Sequence, residues 1–306
     1  MKPGPPPSPP SPPSSKPFLT LEEQCDTLLA RGLEIDDRTQ AAAFLHRTNY
    51  FRLSGYLRPF QVDPAAGDNS FKAGTSLIQV RRIYEFDQHL RLLVGTAIAE
   101  FEVEFRAALA YKLAEKLSPT GYALERHFRR FGDYQDCMQR LDEERQRSKE
   151  PFMKHHNDKY SAMEPPIWVV VECASFGLLS KMMSNLKEQS YVKQIAGTFG
   201  LPQDYFNTAV RHLSYTRNIC AHHGRLWNRQ VVEKLATMKS PTHEISIRVG
   251  ETDTYRIFQT LVLLSYLTRR AGSKSDFEER CLQLLSQHKD LLKHMGFPEH
   301  HALDRL

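Results

Sequence analysis

Between Ser76 and Leu117, Ile83, Phe86, Leu90, Leu93, Val94, Ala97, Phe101, Phe105 and Ala108 recur at helical spacing. At about 100° per residue they share one face, so the stretch predicts one long amphipathic helix. Such a helix must bury its stripe, and that need organises the rest of the chain around it. A second face carries Asp87, Arg91, Glu102 and Arg106, with Gly95 and Ala99 among them. Two readings of it stand. It is a solvated face stitched by i,i+4 ion pairs, each worth about 0.3–0.5 kcal/mol, or its small residues admit another helix close to the charges.

The other elements read mostly as helices. Thr20 and Glu23 form a capping box ahead of Leu21, Cys25, Leu28 and Leu29, and Gly32 stops that helix. Asp36 or Asp37 caps a second helix through Ala41–Phe51, with Gly55 near its end. Pro64, Gly67, Asp68, Asn69 and Gly74 predict a loop over 62–76. Residues 122–160 predict charged helix. The β-branched run in Ile167-Trp168-Val169-Val170-Val171-Glu172 favours a strand by propensity. Pro165-Pro166 suits a helix start, however, and apolar spacing continues through Leu178, Leu179 and Met182, so helix is expected. Further helices are expected over 184–197, 204–223, 256–270 and 277–292. The chain therefore reads as all-α, from Phe18 to Pro298, with tails at 1–17 and 299–306.

Composition narrows the function. A net charge of +5 permits a polyanionic partner without demanding one. Cys25, Cys137, Cys173, Cys220 and Cys281 are scattered and contain no CxxC pair, which argues against disulfide or zinc frameworks and for a reducing cytoplasm. No apolar run has the length of a membrane span, and the N-terminus has no apolar signal region. Met1–Lys16 is proline-rich and favours extended polyproline II, either as a disordered tail or as a docking peptide for a proline-recognising module. His155-His156 and His300-His301 lack HExxH or carboxylate spacing, so neither metal nor cofactor is expected.

The chemistry concentrates in Arg217-Asn218-Ile219-Cys220-Ala221-His222. RNA cleavage through its own 2′-hydroxyl needs a base, positive charge on the phosphorane and an acid for the departing 5′-oxygen. His222 is the natural acid or base, and Arg217 the natural phosphate clamp. On a helix Asn218 and His222 share a face, whereas Arg217 sits about 140° round from His222. Either arginine's reach closes that gap, or the site is composite, built where two copies meet across a two-fold axis. His223 is a weaker candidate, or else a helix C-terminal cation. A buried structural network at a helix end is the alternative for the whole run. Arg225-Leu226-Trp227-Asn228-Arg229 then interleaves cations with an aromatic, a combination that suits single-stranded RNA. Arg126–Phe131 has the same character, but reads better as an amphipathic helix with Phe128 and Phe131 turned inward.

These residues resemble the Abi-like family, the abortive-infection phage-resistance proteins of the AbiD/AbiF kind. The resemblance rests on Asn49–Tyr56, on Tyr84-Glu85-Phe86-Asp87 with Leu90-Arg91, on Pro165–Trp168 with Ser175-Phe176-Gly177, and on Arg217–Arg229. That family in turn resembles the HEPN superfamily, whose R-x4–6-H motif Arg217 and His222 match with Asn218 in the polar position. The resemblance implies a HEPN-like helical bundle, its core at about 76–272, with an N-terminal helical extension. It implies a metal-independent endoribonuclease, active as a homodimer in phage defence or as a toxin, leaving a 2′,3′-cyclic phosphate and a 5′-hydroxyl. RNA is the implied partner, as substrate or as a small non-coding RNA, and an antitoxin is a further one. Glu102 and Arg106 match the glutamate and arginine that the family carries near its motif. A non-cleaving RNA-binding or RNA-guided module is the alternative.

Overall fold

A computed structural model describes residues 17–160, 163–250, 255–272, 275–299 and 303–306. The proline-rich stretch Met1–Lys16 and the His300-His301 pair lie outside the described residues. The fold is all-α, with one two-stranded hairpin among the described residues. The chain forms two compact units, one reaching Glu85 and the other running from Phe86 to Leu306.

The first unit holds α1 (Leu21–Ala30), α2 (Arg38–Thr48), α3 (Tyr50–Leu57), β1 (Gln61–Asp63) and β2 (Asp68–Phe71). The expected capping box opens α1, with Thr20 and Glu23 bonded reciprocally. Asp37 caps α2 by accepting from the Gln40 N–H at 3.0 Å. The single second helix expected through Phe51 is two helices instead. Asn49 takes φ 67°, which asparagine tolerates better than most residues, and its side chain caps α3 through the Phe51 N–H at 2.8 Å. The expected loop at 62–76 contains the β1–β2 hairpin. Asp63 accepts from the Ala66 N–H at 3.1 Å, and Gly67 supplies φ 91° to close the turn.

The long helix α4 spans Leu77–Leu117, as its periodicity predicts. In the second unit its apolar face packs an aromatic cluster. Phe101 stands 5.1 Å from Phe199 between ring centroids, and Phe105 stands 6.2 Å from Phe206. The remaining helices are α5 (Phe131–Arg147), α6 (Pro151–Tyr160), α7 (Ile167–Cys173), α8 (Phe176–Ser184), α9 (Gln189–Thr198), α10 (Gln203–Ala221), α11 (Glu244–Val249), α12 (Phe258–Arg270) and α13 (Phe277–Ser286). The β-branched run at 167–172 is helical, the outcome that its flanking prolines favour.

Residues 122–130 are not the helix expected of them. Two short 3₁₀ turns lead into an extended segment that pairs antiparallel with Leu186. The Arg129 N–H donates to the Asn185 carbonyl at 2.9 Å, and the Lys187 N–H to the His127 carbonyl at 2.8 Å. Phe128 is buried as expected, but Phe131 is half-exposed and points outward.

Candidate active site

Helix α10 forms because Tyr205, Phe206, Ala209, Val210, Leu213, Thr216 and Ile219 bury one face at helical spacing. It ends in a Schellman motif. The Gly224 N–H donates to the Ile219 carbonyl at 2.8 Å, and the His223 N–H to the Cys220 carbonyl at 3.1 Å. His223 occupies the left-handed position at φ 55°, where glycine is usual. Gly224 follows because a Cβ there would sit 3.2 Å from Cγ2 of Ile219. His222 is the C-cap, its N–H still bonded to the Asn218 carbonyl at 3.0 Å. The helix thus stops at Ala221 and not at His223. Asn218, His222 and His223 are all exposed.

A groove of about 670 Å³ runs between α4 and the end of α10. Arg217 reaches into it. Its Nε donates to Oε2 of Glu102 at 3.3 Å, its Nη2 to Oε1 of Glu102 at 3.4 Å, and its Nη1 to Oδ1 of Asn218 at 3.3 Å. Arg106 donates to the same Glu102 carboxylate at 2.6 Å and also bonds the Val171 carbonyl. One buried carboxylate therefore carries two guanidiniums, and the cluster keeps one net positive charge. Arg217 holds the longer bonds and is 36% exposed, so it is the guanidinium open to an anion.

The charged face of α4 is not the solvated face that was one of its two readings. Asp87, Arg91 and Glu102 are buried. A Cβ on Gly95 would lie 3.5 Å from Cβ of Cys220, which is where α10 approaches. Burial raises the Cys220 thiol to about 12, so it stays protonated. Asp87 is fully enclosed and accepts from the Leu226 N–H at 3.1 Å and the Trp227 N–H at 2.6 Å, while also pairing with Arg91. Arg91 in turn lies 3.4 Å from the Gly224 carbonyl. Asp87 and Arg91 thereby anchor the segment that follows the two histidines.

That anchoring corrects the expectation for Trp227. It is 1% exposed, its indole N–H donates to the Leu291 carbonyl at 3.4 Å, and its ring packs edge-on against His294. No base can stack on it. Arg229 turns back on its own chain, donating to the Tyr215 hydroxyl at 3.3 Å and lying over that ring. Arg225 is half-buried beside it.

Sequence reasoning missed Glu172 of α7, an exposed residue that also lines the groove. It also missed Leu92 and Val103, 68% and 66% exposed on the groove's rim. With Thr96 and Ala99 they make an unbroken i,i+4/i+7 stripe, a signal hidden by the stronger apolar face behind it. The His155-His156 pair splits, with His156 buried and His155 exposed. No described helix is long and apolar enough to cross a membrane.

The family described as Abi-like protein matches the chain over residues 43–228, a span that includes both walls of the groove. No curated protein and no solved structure matches the chain.

Proposed function

The chain belongs to the Abi-like family, which points to abortive-infection phage defence, and from that premise we propose that it acts there as a metal-independent endoribonuclease. The observation that carries this reading is the end of α10. Arg217, half-exposed in an open groove, stands five residues before an exposed histidine at a rigid helix cap.

Arg217 takes a non-bridging phosphate oxygen, its loose contacts to Glu102 giving way to the stronger phosphate pair. Arg106 keeps Glu102 in place meanwhile, so the carboxylate stays charge-balanced when Arg217 turns to the phosphate. A neutral His222 accepts the 2′-hydroxyl proton as the 2′-oxygen attacks phosphorus. A protonated histidine gives a proton to the departing 5′-oxygen. The products are a 2′,3′-cyclic phosphate and a 5′-hydroxyl, and the proton count balances across the pair of histidines. His222 does not line the groove that holds Arg217, so one chain supplies only part of this set. A homodimer supplies two copies of each residue, and the exposed Leu92 and Val103 on the α4 side of the groove give the second copy an apolar surface to meet.

The test is RNA cleavage by purified protein in excess chelator, with product ends identified chemically. His222→Ala and Arg217→Ala should each lower the rate by about 10²–10⁴, the scale of a lost acid–base or clamp group. Arg217→Lys should not restore it, because a lysine cannot grip phosphate with two donors. Persistence of cleavage in folded His222→Ala protein would sink the proposal. Tight, salt-dependent binding of RNA with unchanged ends would favour a non-cleaving RNA-binding module.

A further inference from the structure

We infer that Trp168 is a nucleobase platform at the rim of the groove, stacking a base of single-stranded RNA whose phosphate lies on Arg217. This rests on the RNA reading of the groove. Trp168 is 51% exposed on a helix whose Ile167, Val170 and Val171 are buried to 1% or less. A tryptophan so exposed on so well-packed a helix leaves a large flat apolar face without cover.

Three observations aim that face at RNA. Trp168 and Glu172 are i,i+4 on α7 and share a side of it, about 6 Å apart along the axis, and Glu172 lines the groove together with Arg217. The Arg106 guanidinium, part of the same charged cluster, bonds the Val171 carbonyl and ties α7 to the groove floor. The start of α7 is also held. The Ile167 N–H donates to the Pro119 carbonyl at 2.8 Å, and the Tyr122 hydroxyl to the Pro165 carbonyl at 2.8 Å. The platform is thus set in place before ligand arrives, so little order is lost on binding.

Charge decides which part of a nucleotide lies on which wall. Arg217 and Arg106 in the groove attract phosphate, whereas the Glu172 carboxylate, on the side of α7 that carries Trp168, repels it. A strand in this groove therefore keeps its backbone on the guanidiniums and turns a base toward the indole. Trp168 stands on α7, whereas the Leu92–Val103 stripe stands on α4.

The chain has two tryptophans, and Trp227 is buried, so a quenching ligand reads Trp168 directly. His222→Ala protein is titrated with a short single-stranded oligoribonucleotide while intrinsic fluorescence is followed. Emission should fall in a saturable way, and the fall should vanish in His222→Ala/Trp168→Leu. In otherwise unchanged protein Trp168→Leu should raise KM about tenfold, the scale of one stacked base, with kcat within about twofold. Trp168→Phe, which still stacks, should recover most of that KM. Unquenched emission with RNA bound, or an unchanged KM in Trp168→Leu, overturns the inference and leaves the ribonuclease reading intact. A change of oligomeric mass in Trp168→Leu assigns the residue to contact between copies and also overturns it. Wild-type protein that neither binds nor cleaves RNA defeats the ribonuclease reading itself, and the platform with it.

Discussion

Replacing Asp87 with alanine should destabilise the second unit by about 4 kcal/mol. The carboxylate is fully enclosed and is held by the Leu226 N–H, the Trp227 N–H and the Arg91 guanidinium. Its removal strands a buried arginine, which costs about 3–5 kcal/mol in comparable pairs. It also leaves two N–H groups without their acceptor, at about 1–3 kcal/mol each. These costs overlap as the segment relaxes, which is why the expected total sits within the range for the ion pair alone. With a urea dependence of about 3 kcal/mol per molar, the unfolding midpoint should fall by about 1.3 M. Trp227 is the natural probe, because its own N–H is one of the bonds lost; a Trp168→Phe background makes it the sole tryptophan. Replacing both Asp87 and Arg91 with leucine removes the stranded charge but not the two orphaned N–H groups. That double variant should recover about half of the loss. A midpoint shift below about 0.3 M in cooperatively unfolding Asp87→Ala protein would refute the claim that this carboxylate anchors the segment after the histidines.

Three further outcomes are expected. Leu92→Glu/Val103→Glu places charge on the exposed α4 stripe and should reduce the mass measured by light scattering to that of one chain, with RNA cleavage lost alongside. His223→Gly should raise the urea midpoint, by the equivalent of about 0.5 kcal/mol, because the relief of Cβ strain at φ 55° outweighs glycine's greater freedom in the unfolded chain. His212 is buried, with Nδ1 2.6 Å from the Glu233 carbonyl and Nε2 2.7 Å from the Thr260 hydroxyl. The carbonyl can only accept, so Nδ1 donates to it, and Nε2 accepts from the Thr260 hydroxyl in the neutral ring that burial favours. Burial pushes it down to about 4 from an unfolded value near 6.5. Its contribution is therefore whole above about pH 6.5 and is lost as pH falls toward 4, up to about 3 kcal/mol. Urea midpoints at pH 7 and pH 5 should diverge in wild type and much less in His212→Gln.

What could be read from residues alone divides along a physical line. Local order was legible where a residue decides its own neighbourhood: the reciprocal cap of Thr20 and Glu23, the stripe from Ile83 to Phe105, the prolines before Ile167. Asn49 and Phe128 were not, because a left-handed asparagine and a bridge to Leu186 depend on what the chain meets elsewhere. The charged face of α4 shows the limit most clearly. Asp87 and Arg91 have the same spacing whether water or a loop lies over them, and the loop that covers them begins more than 130 residues later. Trp227 misled for the same reason. An aromatic among cations reads as a stacking surface until the distant carboxylate that binds its backbone is known. Arg217 and His222 could be proposed from chemistry, but their unequal relation to one groove required coordinates.

The Schellman turn that stops α10 also acts as a ruler for evolution. Because Ile219, Cys220, His223 and Gly224 close the turn together, the helix end and the cap histidine move as one piece. An insertion of one residue between Arg217 and Ile219 would carry that piece about 100° round the axis and about 1.5 Å along it. Arg217 would stay over Glu102 while His222 swung to another quarter of the surface. Length changes in this stretch are therefore not neutral drift in a loop. Each is a discrete rotation of one catalytic candidate relative to the other.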